Sequence, residues 1–304
     1  MQYLYIGVNE CADDVLKHIN NELQQLNINK VNYSVNEVNS NGSTSIICSI
    51  NEDKTSNEKS FQPYNLLTAH VSNALADFIL RQYEEKLIGR VINSNYCYFN
   101  SAEKQEIMKL ALRIIRNDDK NILNSIFQIR RRNIIVRKLL DYFESSNNII
   151  LDGFVNFRLK DYIKDLEEIV DKAVDDFLME REYKEFIRLL RYFVDIQDPK
   201  FDVVHIIVAY DGKYVLQDGN GKEITNECIQ EFMTEINEGE VNYDDLLVSS
   251  LITLAPRKIM IHSTEQFRNK ELLETIKNVF SGRVLICTGC DLCRVKLAKG
   301  ETEK

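Results

Sequence analysis

The chain has 304 residues, 44% hydrophobic and 28% charged, a composition ordinary for a globular protein of about two domains that can bury its own core without disulfide staples. A formal net charge of −9 argues against broad affinity for nucleic acid or anionic membranes unless the basic residues cluster. No stretch approaches the roughly 18 apolar residues of a spanning helix. The first residues lack the basic and apolar regions of a signal peptide, and neither end reads as a lipidation motif, so a cytoplasmic protein with no membrane contact is expected.

In chain order, residues 2–8 (QYLYIGV) read as a strand. Asn9 or Asp13 opens a helix with Val15, Leu16, Ile19, Leu23 and Leu26 at helical spacing. Val31, Tyr33 and Val35 alternate with polar residues, as do Ile46, Cys48 and Ile50, and Asn41-Gly42 between them suits a tight hairpin. Residues 51–60 are wholly polar and read as a loop.

From Pro63 to Ile196 the period is helical. Pro63 suits a first helical turn, where its missing N–H costs nothing. Asn100 with Glu103 reads as a capping box, followed by Ile107, Leu110, Leu112 and Ile115. A further helix runs through Ile126, Ile135, Leu139, Leu140 and Phe143. The stretch 158–178 is strongly amphipathic, with an apolar stripe from Leu159 to Leu178 and a charged outer face. A second helix follows through Tyr183, Phe186, Ile187, Leu190 and Phe193 and stops before Pro199.

The period then changes to two. Val203–Tyr210 and Lys213–Leu216 form strands around Asp211-Gly212, and Asp218-Gly219-Asn220-Gly221 makes another turn. Helices are expected around 226–237 and 243–254, a short strand at 258–262, a helix over 265–280 ended by Gly282, and a last strand at 283–287. The fold class is α+β or mixed α/β: an N-terminal βαββ unit over 1–60, a helical region over 61–198, and a C-terminal α/β region over 199–304 with a mixed sheet and a βαβ unit. The strands of the two ends could pair into one layer or form separate sheets.

There are seven cysteines. Cys11, Cys48, Cys97 and Cys228 are scattered in apolar surroundings, the pattern of reduced, buried thiols. Cys287, Cys290 and Cys293 are spaced so that a turn at Thr288-Gly289 lets their thiols converge, and soft thiolates suit zinc or an iron–sulfur cluster. If the strands at 258–262 and 284–287 are parallel and joined by the helix between them, His262 and Cys287 stand together at their carboxyl ends, where open α/β sheets bind ligands. His262 is thus the candidate fourth ligand. The spacing lacks the second cysteine pair of an ordinary zinc site, so packed thiols and a redox dithiol remain as alternative readings.

A second cluster, Arg130, Arg131, Arg132, Arg137 and Lys138, could bind an anion or nucleic acid. It lacks interleaved aromatic residues, and a charged run on an amphipathic helix is usually its solvated face. Nucleic acid is therefore not the expected partner. The acidic run from Asp161 to Asp176 reads as the outside of its helix. His18 and His70 read as structural, His205 lies in mid-strand, and no Gly-x-Ser-x-Gly, Walker loop or His-Glu-x-x-His pattern identifies a catalysed reaction.

Four stretches carry a resemblance: RRRNIIVRKLLDYF (130–143), GFVNFRLKDY (153–162), DDFLMEREYKEFIRLL (175–190) and PKFDVVHIIV (199–208). They resemble the YtxC-like family of sporulation proteins of spore-forming Firmicutes. The resemblance implies a cytosolic role in endospore formation and carries no catalytic residue set. The expected function is a sporulation-associated protein acting through contacts with a protein partner or a second copy of itself. The alternative is a metal-binding or thiol-redox protein centred on the C-terminal cysteines.

Overall fold

The computed structural model describes residues 2–25, 32–40, 43–50, 63–116, 122–208, 214–224, 243–267, 269–290 and 292–293. They fall into two compact units, Met1–Leu178 and Met179–Lys304. Among the described residues the fold is mixed α and β, with two separate four-stranded sheets. The alternative of one shared layer is thereby settled in favour of two.

The first sheet has β1 (Gln2–Val8), β2 (Tyr33–Ser40), β3 (Ser43–Ile50) and β4 (Asn148–Ile150) in the order β2-β3-β1-β4. β1 is antiparallel to β3 and parallel to β4. The βαββ start is as expected, and Ser40 stands opposite Ser43 across the hairpin; Asn41 and Gly42 lie outside the described residues. Helix α1 (Ala12–Leu23) begins neither at Asn9 nor at Asp13. Cys11 occupies the cap position with a left-handed backbone (φ 60°), while the Asn9 side chain donates to Asp152 instead.

Helices α2 (Pro63–Gln82), α3 (Glu84–Asn95), α4 (Ser101–Arg116), α5 (Ile122–Ser145) and α6 (Leu151–Arg158) complete this unit with the first part of α7 (Lys160–Ile196). α2 opens at Pro63, and the Asn100/Glu103 capping box forms as read: Asn100 Oδ1 accepts from the N–H groups of Ala102 and Glu103, and Glu103 accepts from the N–H of Asn100. The core joins Leu4, Ile6 and Val8 of β1 to Ile46, Cys48 and Ile50 of β3 and to the buried faces of the helices.

One expectation is corrected. The helices read at 158–178 and 183–193 are one helix of 37 residues, α7. No glycine or proline interrupts Met179-Glu180-Arg181-Glu182, so the backbone continues. Leu166, Val170, Ala173 and Phe177 belong to the first core, and Ile187, Leu190 and Val194 to the second. Residues 179–186 are all exposed, and that gap in the buried pattern reads in sequence as a break in the helix.

The second sheet has β5 (Val203–Val208), β6 (Tyr214–Asp218), β7 (Lys258–Ile261) and β8 (Val284–Ile286) in the order β6-β5-β7-β8. β5 and β6 form an antiparallel hairpin, and β5, β7 and β8 run parallel. Helix α8 (Tyr243–Leu254) precedes β7, and α9 (Lys270–Val279) joins β7 to β8. This is the expected βαβ unit. The helix expected from 265 starts later, after a short 3-10 turn at Thr264–Gln266, because Asn269 caps α9 by accepting from the N–H groups of Glu271 and Leu272. The turn at Asp211-Gly212, the helix at 226–237, Cys228 and the chain after Cys293 lie outside the described residues.

Candidate metal centre

Strand alternation places the site. On β5 and β7, Val204, Ile206, Val208, Ile259 and Ile261 face the core of the second unit. His205 and Met260 therefore face the opposite side. The alternation carries past the strand ends: Cys287 N–H donates to the Ile261 carbonyl at 2.8 Å, and His262 N–H to the Ile206 carbonyl at 2.9 Å. His262 and Cys287 thus leave neighbouring parallel strands on the side that also carries His205.

Beyond Cys287 the chain turns back. Gly289 has φ +130°, a conformation that L side chains rarely adopt, and its N–H points at Cys287 Sγ, 3.4 Å away. Leu292 and Cys293 begin a helical turn, with Cys293 N–H donating to the Cys290 carbonyl at 3.0 Å. The result is a cluster of four side chains. Cys293 Sγ lies 3.8 Å from Cys290 Sγ and 3.8 Å from Cys287 Sγ. His262 Nδ1 lies 3.4 Å from Cys290 Sγ and 3.5 Å from Cys293 Sγ. All four ligand atoms are within 4.8 Å of one another. His262 is 2% exposed and the cysteines are half-buried. Ser263, the next residue, has a left-handed backbone at φ 50°, a departure that often marks functional positions.

The electrostatics suit a ligand set. Burial, and then the neighbouring His205, hold His262 below its ordinary pKa, so its ring is neutral near pH 7 with a lone pair to offer. Burial pushes the Cys293 thiol up, but the Cys290 backbone, Ser263 and the two other thiols outweigh it and bring Cys293 down to about 7. For Cys287, the hydrogen bond from Gly289 lowers the pKa, yet burial and the adjacent thiols raise it overall.

The four residues singled out from sequence are thus brought together. His205 was missed: its Nδ1 lies 2.9 Å from His262 Nε2. The two histidines are 57 positions apart, and only the pairing of β5 with β7 makes them neighbours.

The basic cluster on α5 is dispersed among carboxylates. Arg131 is buried and bonds Glu84 at 2.7 Å, Arg132 bonds Asp77 at 2.6 Å, and Lys138 pairs with Asp161 at 3.0 Å. Arg130 and Arg137 are exposed. The scattered cysteines also divide. Cys48 is buried in β3, but Cys11 and Cys97 are exposed, a correction to the expectation of buried thiols. The reason is local: Cys11 caps α1 at a surface turn, and Cys97 follows the end of α3. Among the described residues no helix is long and apolar enough to cross a membrane.

Comparison with known proteins adds the family. The model of the YtxC-like family matches residues 69–285, a span that takes in His205 and His262 and ends just before Cys287. A similar protein is the "Uncharacterized protein YtxC" of Bacillus subtilis (strain 168), 27% identical over 215 residues that cover 69% of this chain and 73% of the relative. No solved structure matches. With well over half of its length matched, and the four stretches that resemble the family all lying within the matched span, the chain belongs to the YtxC-like family.

Proposed function

We propose that the second unit binds one zinc ion through Cys287, Cys290, Cys293 and His262. The distances carry this reading. Zinc bonds thiolate sulfur at about 2.3 Å and imidazole nitrogen at about 2.0–2.1 Å, so the edges of a tetrahedral site are about 3.8 Å between sulfurs and about 3.5 Å between sulfur and nitrogen. Four of the six separations match these edges, at 3.8 and 3.8 Å and at 3.4 and 3.5 Å, and all four ligand atoms lie within 4.8 Å of one another. An iron–sulfur cluster spreads its thiolates over several irons and needs a wider set, so a single zinc ion is the better match.

Four protein ligands close a zinc tetrahedron and leave no position for water or substrate, which makes the site structural. Its role is to tie the ends of β7 and β8 to the segment that follows them. The direct test is the metal content of protein purified without oxygen. We expect about one zinc per chain and its loss in Cys290→Ser; a metal-free wild type overturns the proposal.

We further propose that the protein acts in endospore formation in the cytoplasm through protein contacts, a role that its resemblance to the YtxC-like family suggests. It is supported by the second half of α7. There Met179, Tyr183, Phe186, Leu189, Phe193 and Ile196 are exposed at helical spacing, while Ile187, Leu190 and Val194 pack on the core. We assign this face to a second copy of the chain. A two-fold axis would set the apolar stripe of one α7 antiparallel against the same stripe of the other, covering Phe186 and Phe193 of both copies. Sedimentation equilibrium should show a dimer that Phe186→Glu with Phe193→Glu converts to monomer. A monomeric wild type at the highest soluble concentration contradicts this reading.

A further inference from the structure

We infer that His205 is a positioning residue that fixes which ring nitrogen of His262 faces the three sulfurs. The inference rests on the zinc reading for its consequence, but the geometry stands by itself. In the parallel register of β5 and β7, His205 is opposite Met260, on the sheet side that His262 also takes. His205 Nδ1 lies 2.9 Å from His262 Nε2, and the two rings are 5.2 Å apart between centroids and tilted by 30°. The other nitrogen of His262, Nδ1, is the one 3.4 and 3.5 Å from the sulfurs of Cys290 and Cys293.

Two neutral imidazoles share one proton in such a hydrogen bond. If His262 Nε2 donates and His205 Nδ1 accepts, then His262 Nδ1 carries a bare lone pair aimed at the sulfurs. The proton of His205 is then on its own Nε2. If the donation runs the other way, His262 carries its proton on Nδ1, and that nitrogen can bind no metal. The first arrangement is the only one compatible with ligation through Nδ1. His205 therefore acts as the acceptor that selects the tautomer, holds the ring plane and increases the basicity of the ligating nitrogen. Outer partners of metal-bound histidines characteristically do this. His205 is neither a fifth ligand nor a group that reacts.

The test combines NMR of the His262 ring with zinc affinity. Two-bond proton–nitrogen correlation spectra should show His262 protonated at Nε2 in metal-free protein, and zinc bound at Nδ1 in the loaded protein. His205→Phe, which keeps a ring and removes the acceptor, should lower zinc affinity about 10–100-fold and redistribute the tautomers. His205→Asn, whose side-chain oxygen can stand near the position of Nδ1, should restore most of both. Wild-type affinity in His205→Phe, or ligation through His262 Nε2, overturns the inference and leaves the zinc reading intact. If the wild type holds no zinc, the zinc reading fails, and the metal-free spectra alone decide. A dominant Nε2 proton that redistributes in His205→Phe supports the positioning role, and an unchanged tautomer ratio ends it.

Discussion

Cys287 Sγ and Cys293 Sγ stand 3.8 Å apart, well beyond the roughly 2.05 Å of a disulfide bond and close to the sulfur–sulfur edge of a zinc tetrahedron. In the proposed zinc site Cys290 and His262 would complete that tetrahedron from two directions, one from the same loop and one from the end of the neighbouring strand. The loop and the βαβ unit are therefore predicted to be mutually dependent. Removing the metal with a chelator, or Cys290→Ser, should lower the thermal midpoint of the second unit. With free zinc a thousandfold above its Kd, the lost stabilisation is about 4 kcal/mol, which corresponds to a fall of several degrees or more by calorimetry. An unchanged midpoint would mean that the metal contributes nothing to the fold.

The thiols should differ in reactivity once the metal is stripped. Reaction with iodoacetamide follows the thiolate fraction. Cys293, lowered to about 7, should be half-reactive near that pH and lose reactivity as the pH falls through it. Cys287, raised above its ordinary value, should need a more alkaline solution. Cys48, pushed by burial up to about 12, should stay unmodified in the folded chain, whereas exposed Cys11 and Cys97 should react. Mass spectrometry of alkylated peptides across pH 5–9 resolves the order. Zinc should protect all three C-terminal thiols near neutral pH and be released as acid reprotonates them.

In the first unit, the load falls on a buried polar pair. Glu84 Oε1 accepts from Arg131 at 2.7 Å and from the Tyr162 hydroxyl at 2.7 Å, and Tyr162 is fully buried. Burial, aided by Glu84, holds the tyrosine well above its ordinary pKa, so it remains a donor at any working pH. Glu84→Ala removes the carboxylate that Arg131 bonds at 2.7 Å and should cost about 3–5 kcal/mol. Tyr162→Phe removes one hydrogen bond to a charged acceptor and should cost about 1.5–3 kcal/mol. Urea unfolding should rank the two in that order, and the reverse order would indicate that Arg131 finds another partner at little expense.

Much of this architecture was legible in the sequence where the signal is local. An apolar run marked β1, alternation marked β2 and β3, the Asn100/Glu103 pair marked the start of α4, and Gly282 marked the turn before β8. The site was legible for a related reason: parallel strands of a βαβ unit end at the same edge of the sheet, so His262 and Cys287 had to emerge together if their strands were parallel. What was hidden depends on distant partners. β4 is three residues long and exists by pairing with β1. α3 carries Gly89 at its centre, a weak helix former, and a Cβ there would lie 3.1 Å from Met108 Cε of α4; the packing that explains the residue is non-local. His205 reads as one alternating strand residue until β7 is set beside it.

The most direct test of the central claim is X-ray absorption at the zinc edge of the loaded, full-length protein. A first shell of three sulfurs at about 2.3 Å and one nitrogen at about 2.0–2.1 Å is the predicted result. It should change to two sulfurs with a light-atom ligand, or disappear, in Cys290→Ser. A shell of nitrogen and oxygen alone, or a wild-type chain that retains no zinc, would contradict the assignment and leave Cys287, Cys290 and Cys293 as ordinary thiols beside the His205–His262 pair.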